Sequence, residues 1–531
     1  MNNGLSDKQL KQIIDVLRQY KDIDKAVLFG SRAMGNYKKG SDVDIAIMGK
    51  NADFTLAAKI KSHLEDDTYL PYFFDVISYN TIKSDELKEH IRRYGKIILS
   101  GEKKIPKGWV ETTLGEVGLE VLNGYAFKSK NFISSKSGNN ELPVLKIKNV
   151  ANGNTNHNDV VFHKVSFSLE KYIIKKGDTL IALTGNHPFA KTQVVGGVSK
   201  YRLPIKSLLN QRVAKIFSKE KSMLHNEILY YFFKWNNTQF HIGNQSSGSA
   251  SQANISKNDL LNIPINLPPL PEQVAIAKIL TVFDDKIELL QAQNKTLETT
   301  AQTIFKEWFG KYQIGDELPV GWRMFQMDEL VETINGYSYK GKDLVEESDE
   351  ALVSLKSFDR NGGFQTRGFK PFKGNPKDTQ EVQIGDLVVA HTDLTQDAEV
   401  LGNPAFIFDN GGFKKMYITM DLVKVISIHK DISSSFLYYL MKDRAFKGHC
   451  VGYSNGTTVL HLSKKAIPEY QVFLPSNLGK VKEFSKIANA TTSKISLNKD
   501  ELKYLKQTRD TLLPKLMSGQ LRVDEFKENA V

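Results

Sequence analysis

The spacing of apolar side chains divides this chain into a run of short elements and two long seams. Near the start, Leu10, Ile13, Ile14 and Leu17 recur at helical spacing, and Ala26-Val27-Leu28-Phe29 then predicts a buried strand. A glycine–serine turn follows, then a second strand over Val43–Met48, a helix near residues 56–64, a third strand at 73–77 and a closing helix at about 85–94. Together these predict a small α/β unit over residues 1–102, with the polar stretch Ser100-Gly101-Glu102-Lys103-Lys104 as the linker behind it.

The two seams have a different period. Ile287, Leu290, Asn294, Leu297, Ala301, Ile304 and Trp308 alternate steps of three and four, which is an a/d heptad pattern with one asparagine of the kind that sets register. Ile495, Leu502, Leu505 and Leu512 follow the same spacing until Pro514, where the pattern is expected to break. A helix over residues 272–309 is about 57 Å long at about 1.5 Å per residue. Each seam follows a Leu-Pro boundary, Leu267-Pro268-Pro269-Leu270-Pro271 and Leu474-Pro475, and proline is tolerated in the first turn of a helix.

What precedes each seam is the same module written twice. Pro106-Lys107-Gly108-Trp109 returns as Pro319-Val320-Gly321-Trp322, Asn123-Gly124-Tyr125 as Asn335-Gly336-Tyr337, and Leu145-Lys146 as Leu355-Lys356. Gly177-Asp178 returns as Gly385-Asp386, Leu229-Tyr230-Tyr231 as Leu437-Tyr438-Tyr439, and Lys286-Ile287 as Lys494-Ile495. A globular head followed by a long helix, repeated, is an architecture for holding two heads apart, and the repeat decides the fold before any local motif does. Two seams of equal length in one chain are expected to pair with each other. The expected fold class is therefore α/β multidomain, with residues 105–270 and 316–476 as heads and residues 271–310 and 477–520 as two long antiparallel coiled-coil helices.

Charge changes the picture in one respect. Of the net +12, residues 1–102 carry only +1, so the excess lies on the duplicated part, as expected of a surface that meets phosphate backbones. Cys450 is the only cysteine, so no intramolecular disulfide or cysteine metal cage forms, and a reducing cytoplasm fits. No apolar run approaches a membrane span, and no membrane association is expected.

Two places carry candidate chemistry. In the first, Gly30-Ser31-Arg32 forms a turn whose backbone N–H groups and hydroxyl suit a triphosphate. Asp42 and Asp44 alternate with Val43 and Ile45, so both carboxylates leave a strand on one side, and Asp75 lies on a similar apolar strand. Three such oxygen ligands suit Mg²⁺. The pattern Gly-Ser, spacer, Asp-x-Asp and later Asp resembles the minimal nucleotidyltransferase family of the polymerase β superfamily, over about residues 5–100. The resemblance implies Asp42, Asp44 and Asp75 as metal ligands, Asp75 also as activator of the acceptor hydroxyl, and Gly30, Ser31 and Arg32 at the nucleotide. It also implies Mg²⁺ and an NTP such as ATP as cofactors.

The second is the pair of heads. Ile105-Pro106-Lys107-Gly108-Trp109 and Leu318-Pro319-Val320-Gly321-Trp322 open them, Leu267 to Gln273 leads the first long helix, and Leu512-Leu513-Pro514-Lys515-Leu516-Met517-Ser518-Gly519 comes near the end. In that order and doubled, these resemble the specificity subunit of type I restriction–modification systems. The resemblance implies two target-recognition domains, each reading half of a split site in double-stranded DNA. It further implies two methyltransferase subunits packed on the helices and an ATP-driven restriction subunit in the larger complex. Candidate base contacts are Ser246, Ser247, Gln252 and Asn254 in head one and Asn455, Thr457 and Thr458 in head two, since amides and hydroxyls read base edges. Lys146, Lys148 and Lys356 are candidate phosphate contacts. An alternative makes the chain a Mg²⁺-dependent nucleotidyltransferase for a partner protein, targeted by a DNA- or protein-binding coiled-coil scaffold.

Two other signals were set aside. Gly336 to Lys342 nearly spells a phosphate loop but continues with Asp343 instead of a hydroxyl residue, and His187, His391 and His461 lack ligand spacing, so no zinc is expected.

Overall fold

The computed structural model describes residues 4–38, 40–100, 105–150, 153–186, 194–249, 252–358 and 363–523, and they group into two compact units, residues 1–281 with 510–531 and residues 282–509. The expected linker residues 101–104 and His187 lie outside the described residues.

The first unit begins with the small α/β domain. Helix α1 (Asp7–Leu17) starts at Ser6, whose hydroxyl accepts the Gln9 N–H while the Gln9 side chain accepts the Ser6 N–H. Strand β1 (Lys25–Phe29) runs into a one-turn helix α2 (Gly30–Met34), then come β2 (Val43–Met48), α3 (Phe54–Asp66), β3 (Phe74–Ser78), α4 (Asp85–Tyr94) and β4 (Lys96–Ser100). The sheet order is β3-β2-β1-β4, with β2 and β3 parallel and the other pairs antiparallel. Alternation sorts the side chains: Val43, Ile45 and Ile47 pack with Ile13, Leu17, Ile60 and Leu64, while Ala46 faces Ile91 of α4. Strand β4 has no counterpart among the expected elements, because Ile97-Ile98-Leu99 is too short a run to show a period and becomes a strand only by pairing with β1.

The two heads have the same inventory of sheets. In head one a four-stranded sheet runs Val198–Lys200, Thr179–Ala182, Val213–Ser218, Leu119–Asn123; in head two the order Pro404–Phe406, Leu387–Ala390, Leu422–Ser427, Val331–Asn335 repeats it. The repeated residues hold this frame. Gly124 and Gly336 lie against the carbonyls of Asn210 and Thr419, where any Cβ would collide. Asp178 and Asp386 each cap a turn, accepting from the N–H of Lys175 and Gln383 at 2.9 Å, and each pairs at 2.8 Å with a lysine of the central strand, Lys215 and Lys424.

Head one also contains α5 (Asn226–Lys234), α6 (Asn236–Gln245) and α7 (Lys257–Leu261), and then the long α8 (Leu270–Phe309). Head two contains α9 (Ser434–Met441) and α10 (Arg444–Gly452), followed by α11 (Gly479–Met517). Within the first unit, Ile276 and Leu280 at the start of α8 and Leu513, Leu516 and Met517 at the end of α11 join the core of head one with Trp109 and Phe233. Within the second, Phe305 and Phe309 at the end of α8 and Val481 and Phe484 at the start of α11 join the core of head two with Phe436 and Tyr439.

Between these, in the second unit, the helices pair directly. Ile287 and Leu290 bury against Leu502, Asn498 donates to Asn294 at 2.7 Å and to Gln293 at 3.0 Å, Arg509 bonds Asp284 at 2.6 Å, and Phe305 meets Phe484 with ring centroids 5.6 Å apart. Residue numbers rise on one helix as they fall on the other, so the pairing is antiparallel. Helix α11 does not stop at Pro514 as the heptad pattern led one to expect. It continues to Met517, because Pro514 is exposed and costs one backbone bond while Leu513, Leu516 and Met517 are buried around it.

The Leu-Pro-Pro-Leu-Pro-Glu-Gln and Pro-x-Gly-Trp motifs meet at a structural joint. Gln273, fully buried, accepts the His225 N–H and donates to the carbonyls of Met223 and Pro268. Glu272 receives the Trp109 indole N–H at 3.0 Å and the Arg522 guanidinium at 2.7 and 2.9 Å. Among the described residues no helix is long and apolar enough to cross a membrane.

Candidate functional site

In the small domain, strand alternation puts Asp44 and Asp75 on the α4 side of the sheet, the parallel register sets Asp44 directly beside Asp75, and Asp42 immediately precedes β2. Asp42 and Asp75 are exposed and Asp44 is half-buried. Burial first, and then the nearby charges of Asp75 and Asp42, raise the Asp44 carboxyl from 3.8 to about 6, against the pull of Arg32. The three carboxylates thus feel one another, although no preformed cluster of metal-ligating side chains is closed among the described residues.

Gly30 begins the turn above Asp44 with φ +69°, and a Cβ there would collide with the Asp44 carboxylate. Glycine is required on both counts. Ser31 follows it, half-buried. Arg32 takes a different place from its neighbours: it is 1 % exposed, donates to the carbonyls of Ser41 and Asp42, and lies 4.5 Å over the Tyr72 ring. Its guanidinium holds the segment that carries Asp42. An arginine in a Gly-Ser turn gave no sequence signal of that inward role.

In the heads, the candidate residues fall into two groups. Ser247, Gln252 and Asn254 belong to a small three-stranded sheet (Thr184–Gly185, Gln252–Asn254, Ser247–Ser249), with Ser246 just before it bonding the Gly243 carbonyl. Asn254 accepts from the Thr184 hydroxyl at 2.8 Å and from Arg212 at 3.3 Å. The equivalent sheet of head two (Thr392–Asp393, Leu460–Leu462, Ser454–Asn455) carries Asn455, and Thr457 and Thr458 are exposed on its hairpin. Lys146 lies over Phe132 at 4.9 Å, Lys148 pairs with Asp159 at 3.2 Å, and Lys356 is exposed. These three lysines lie outside the small sheets and do not join the amide and hydroxyl candidates.

Arg212 was missed in the sequence because nothing near it marks a motif, and only folding brings it to Thr184 and Asn254. The histidines of head two also look unrelated in sequence. Folding sets His391 near His461 and Asp421: the His391 ring is held below its ordinary value by burial first and by the charge of His461 next.

Fold and site together define a class: a two-headed protein with paired long helices, preceded by a carboxylate-bearing domain. Residues 106–299 match the family model described as "Type I restriction modification DNA specificity domain", and residues 11–104 match "Polymerase beta, Nucleotidyltransferase". The type I restriction enzyme MjaIX specificity subunit of Methanocaldococcus jannaschii is 24 % identical over 445 residues, covering 80 % of this chain and 96 % of that one. The EcoAI specificity subunit of Escherichia coli is 32 % identical over 212 residues, 39 % of this chain and 33 % of its own. The crystal structure of the type I S subunit from M. genitalium shares the fold, with TM-score 0.51 at 17 % identity over 79 % of this chain and 98 % of that one. The chain therefore shares the fold of a type I S subunit, and the domain in front of it matches the nucleotidyltransferase model.

Proposed function

We propose that this chain is the DNA sequence-specificity subunit of a type I restriction–modification complex, acting in the cytoplasm. Residues 105–270 and 316–476 serve as target-recognition domains, each reading one half of a split duplex site, and residues 271–310 and 477–520 as the helices that set the spacing. The observation that carries this is the doubling: two heads of one sheet inventory, each built on one end of both long helices. Approximate internal symmetry suits half-sites approached from opposite strands, and unlike loops suit unlike half-sites. The excess positive charge on this part favours phosphate contact. Leu289 and Leu497, at equivalent positions of the two helices, are 63 % and 64 % exposed, which supports docking of two methyltransferase subunits there, with a restriction subunit joining the larger complex. Footprinting with the methylation subunit present tests this. Protection on two short tracts with an unread spacer is expected; one continuous tract, or binding without sequence preference, refutes it.

For residues 1–102 we infer nucleotide transfer from ATP or another NTP to a hydroxyl of a partner protein. The hard-oxygen set Asp42, Asp44 and Asp75, mutually repelling and open to water on one side, fits Mg²⁺. When bound, the metal neutralises triphosphate charge and steadies the attacking and leaving oxygens. Asp75 takes the acceptor proton, Ser31 donates its hydroxyl to a phosphate oxygen, Gly30 leaves room for both, and Arg32 positions Asp42. The acceptor oxygen bonds to the α-phosphorus as pyrophosphate leaves. Incubation with NTP labelled at the α-phosphate and Mg²⁺ checks this: label should appear on protein and vanish in Asp42→Ala and Asp44→Ala, and label that survives both eliminates the assignment.

A further inference from the structure

The same hydrogen bonds tie three backbone positions together in each head. In head one Thr184 pairs across the small sheet with Asn254, the Leu183 N–H donates to the Arg212 carbonyl at 2.9 Å, and the Ile255 N–H donates to the Leu183 carbonyl at 3.0 Å. In head two Thr392 pairs with His461, the His391 N–H donates to the Asp421 carbonyl at 2.7 Å, and the Leu462 N–H donates to the His391 carbonyl at 2.8 Å. These bonds make Arg212 the counterpart of Asp421 and Asn254 the counterpart of His461, with a threonine kept at the third position.

The residues around these positions stay apolar and buried in both heads: Val213 and Leu422, Ala253 and Leu460, Ile255 and Leu462. The polar side chains differ as a set, and the position between them is Leu183 in head one and His391 in head two. Repeats drift freely at their surfaces, so a single difference would mean little. In head one, however, the differing groups touch. The Arg212 guanidinium bonds both Thr184, at 3.1 Å, and Asn254, at 3.3 Å. In head two His461 approaches Thr392 at 3.5 Å, and the Asp421 carboxylate accepts the Thr419 hydroxyl at 3.4 Å. One backbone frame therefore presents a cationic fork with an amide in one head and a carboxylate with an imidazole in the other.

We propose that these paired positions, Arg212 with Asn254 and Asp421 with His461, are the base-reading groups that make the two heads recognise different sequences. The inference rests on the reading of the heads as DNA-recognition domains. A guanidinium matches the O6 and N7 acceptors of guanine, an amide matches adenine, and a carboxylate accepts from the amino group of cytosine. The pre-existing contacts hold these groups in place before DNA arrives, which lowers the ordering cost of binding. Met420, 51 % exposed beside Asp421, and Leu394, 65 % exposed, offer apolar contact to a thymine methyl. The loop behind Leu394 is rigid, because the buried Asp393 carboxylate accepts the N–H groups of Thr395, Val400 and Leu401.

The test is selection of bound sequences from a random duplex library by the full chain and its variants. The double variant Arg212→Ala/Asn254→Ala should lose about 10- to 100-fold of its discrimination at one or two base pairs of one tract and keep the other tract unchanged. Asp421→Asn/His461→Ala should do the reverse. Arg212→Lys, which keeps the charge and loses the fork, should retain overall affinity while discriminating less at the same base. Variants that select both tracts as the wild type does, or that blur both equally, overturn the assignment of these positions while leaving the two-headed reading intact. A wild-type chain that selects no split sequence overturns both.

Discussion

Replacing Asp44 by asparagine should stabilise the small domain at neutral pH while removing its proposed chemistry. The Asp44 carboxyl is raised from 3.8 to about 6 by burial and by the charges of Asp75 and Asp42. Between those values the folded state holds a proton that the unfolded chain has released. Stability therefore falls as pH rises from about 4 to about 6, and the loss is complete above that. The gap between the two values corresponds to roughly 3 kcal/mol. About half of the group remains open to water, so screening reduces this to about 1 kcal/mol. Asp44→Asn should recover that amount at pH 7.5 and almost none at pH 4. Amide hydrogen exchange along β1 and β2 in the full chain, corrected for intrinsic rates, reads the change directly. Millimolar Mg²⁺ should raise protection in the wild type and leave the variant unmoved. A variant stabilised equally at both pH values, or destabilised at pH 7.5, would refute the argument that like charges and burial load this site.

Other outcomes follow from the helices and joints. Asn498→Ala should cost about 1–3 kcal/mol in denaturant unfolding, because Asn294 loses its partner in the seam, and the double change Asn294→Leu/Asn498→Leu should recover it at the expense of register. Glu272→Ala should cost about 2 kcal/mol and alter Trp109 fluorescence, since it strands both the indole N–H and the Arg522 guanidinium. Burial, together with Lys442, lowers the Lys499 ammonium from 10.5 to about 8, with Glu298 opposing. Its cost to stability is therefore full below pH 8 and lost as pH rises toward 10.5, so Lys499→Met should raise Tm at pH 7, by about 2 kcal/mol in stability, and show little effect at pH 10.5.

Much of this architecture was legible in the sequence because it rests on long periods. The heptad seam places Ile287, Leu290 and Ala301 where they are in fact buried, and Asn294 does meet an asparagine across the helix pair. Asp44 leaves β2 on the face opposite Val43 and Ile45 for the simple reason that strand side chains alternate. What escaped detection depends on tertiary partners. Strand β4 exists by virtue of β1, helix α11 carries Pro514 because the residues around it are buried, and Arg32 turns inward to the carbonyls of Ser41 and Asp42. Arg212 and His461 gain meaning only once hydrogen-bond register shows which residues occupy equivalent positions in the two heads.

A polypeptide that contains two similar modules risks seating either one on the wrong partner as it folds. The sockets at the helix ends are chemically unlike. Head two takes in the edge-to-face aromatic rings of Phe305, Phe309 and Phe484, whereas head one takes in the slimmer aliphatic side chains Ile276, Leu280, Leu513 and Leu516. Exchanging the two sets would overpack one core and leave voids in the other, and either costs stability. Each module is thereby keyed chemically to its own helix segments, and that choice is made during folding.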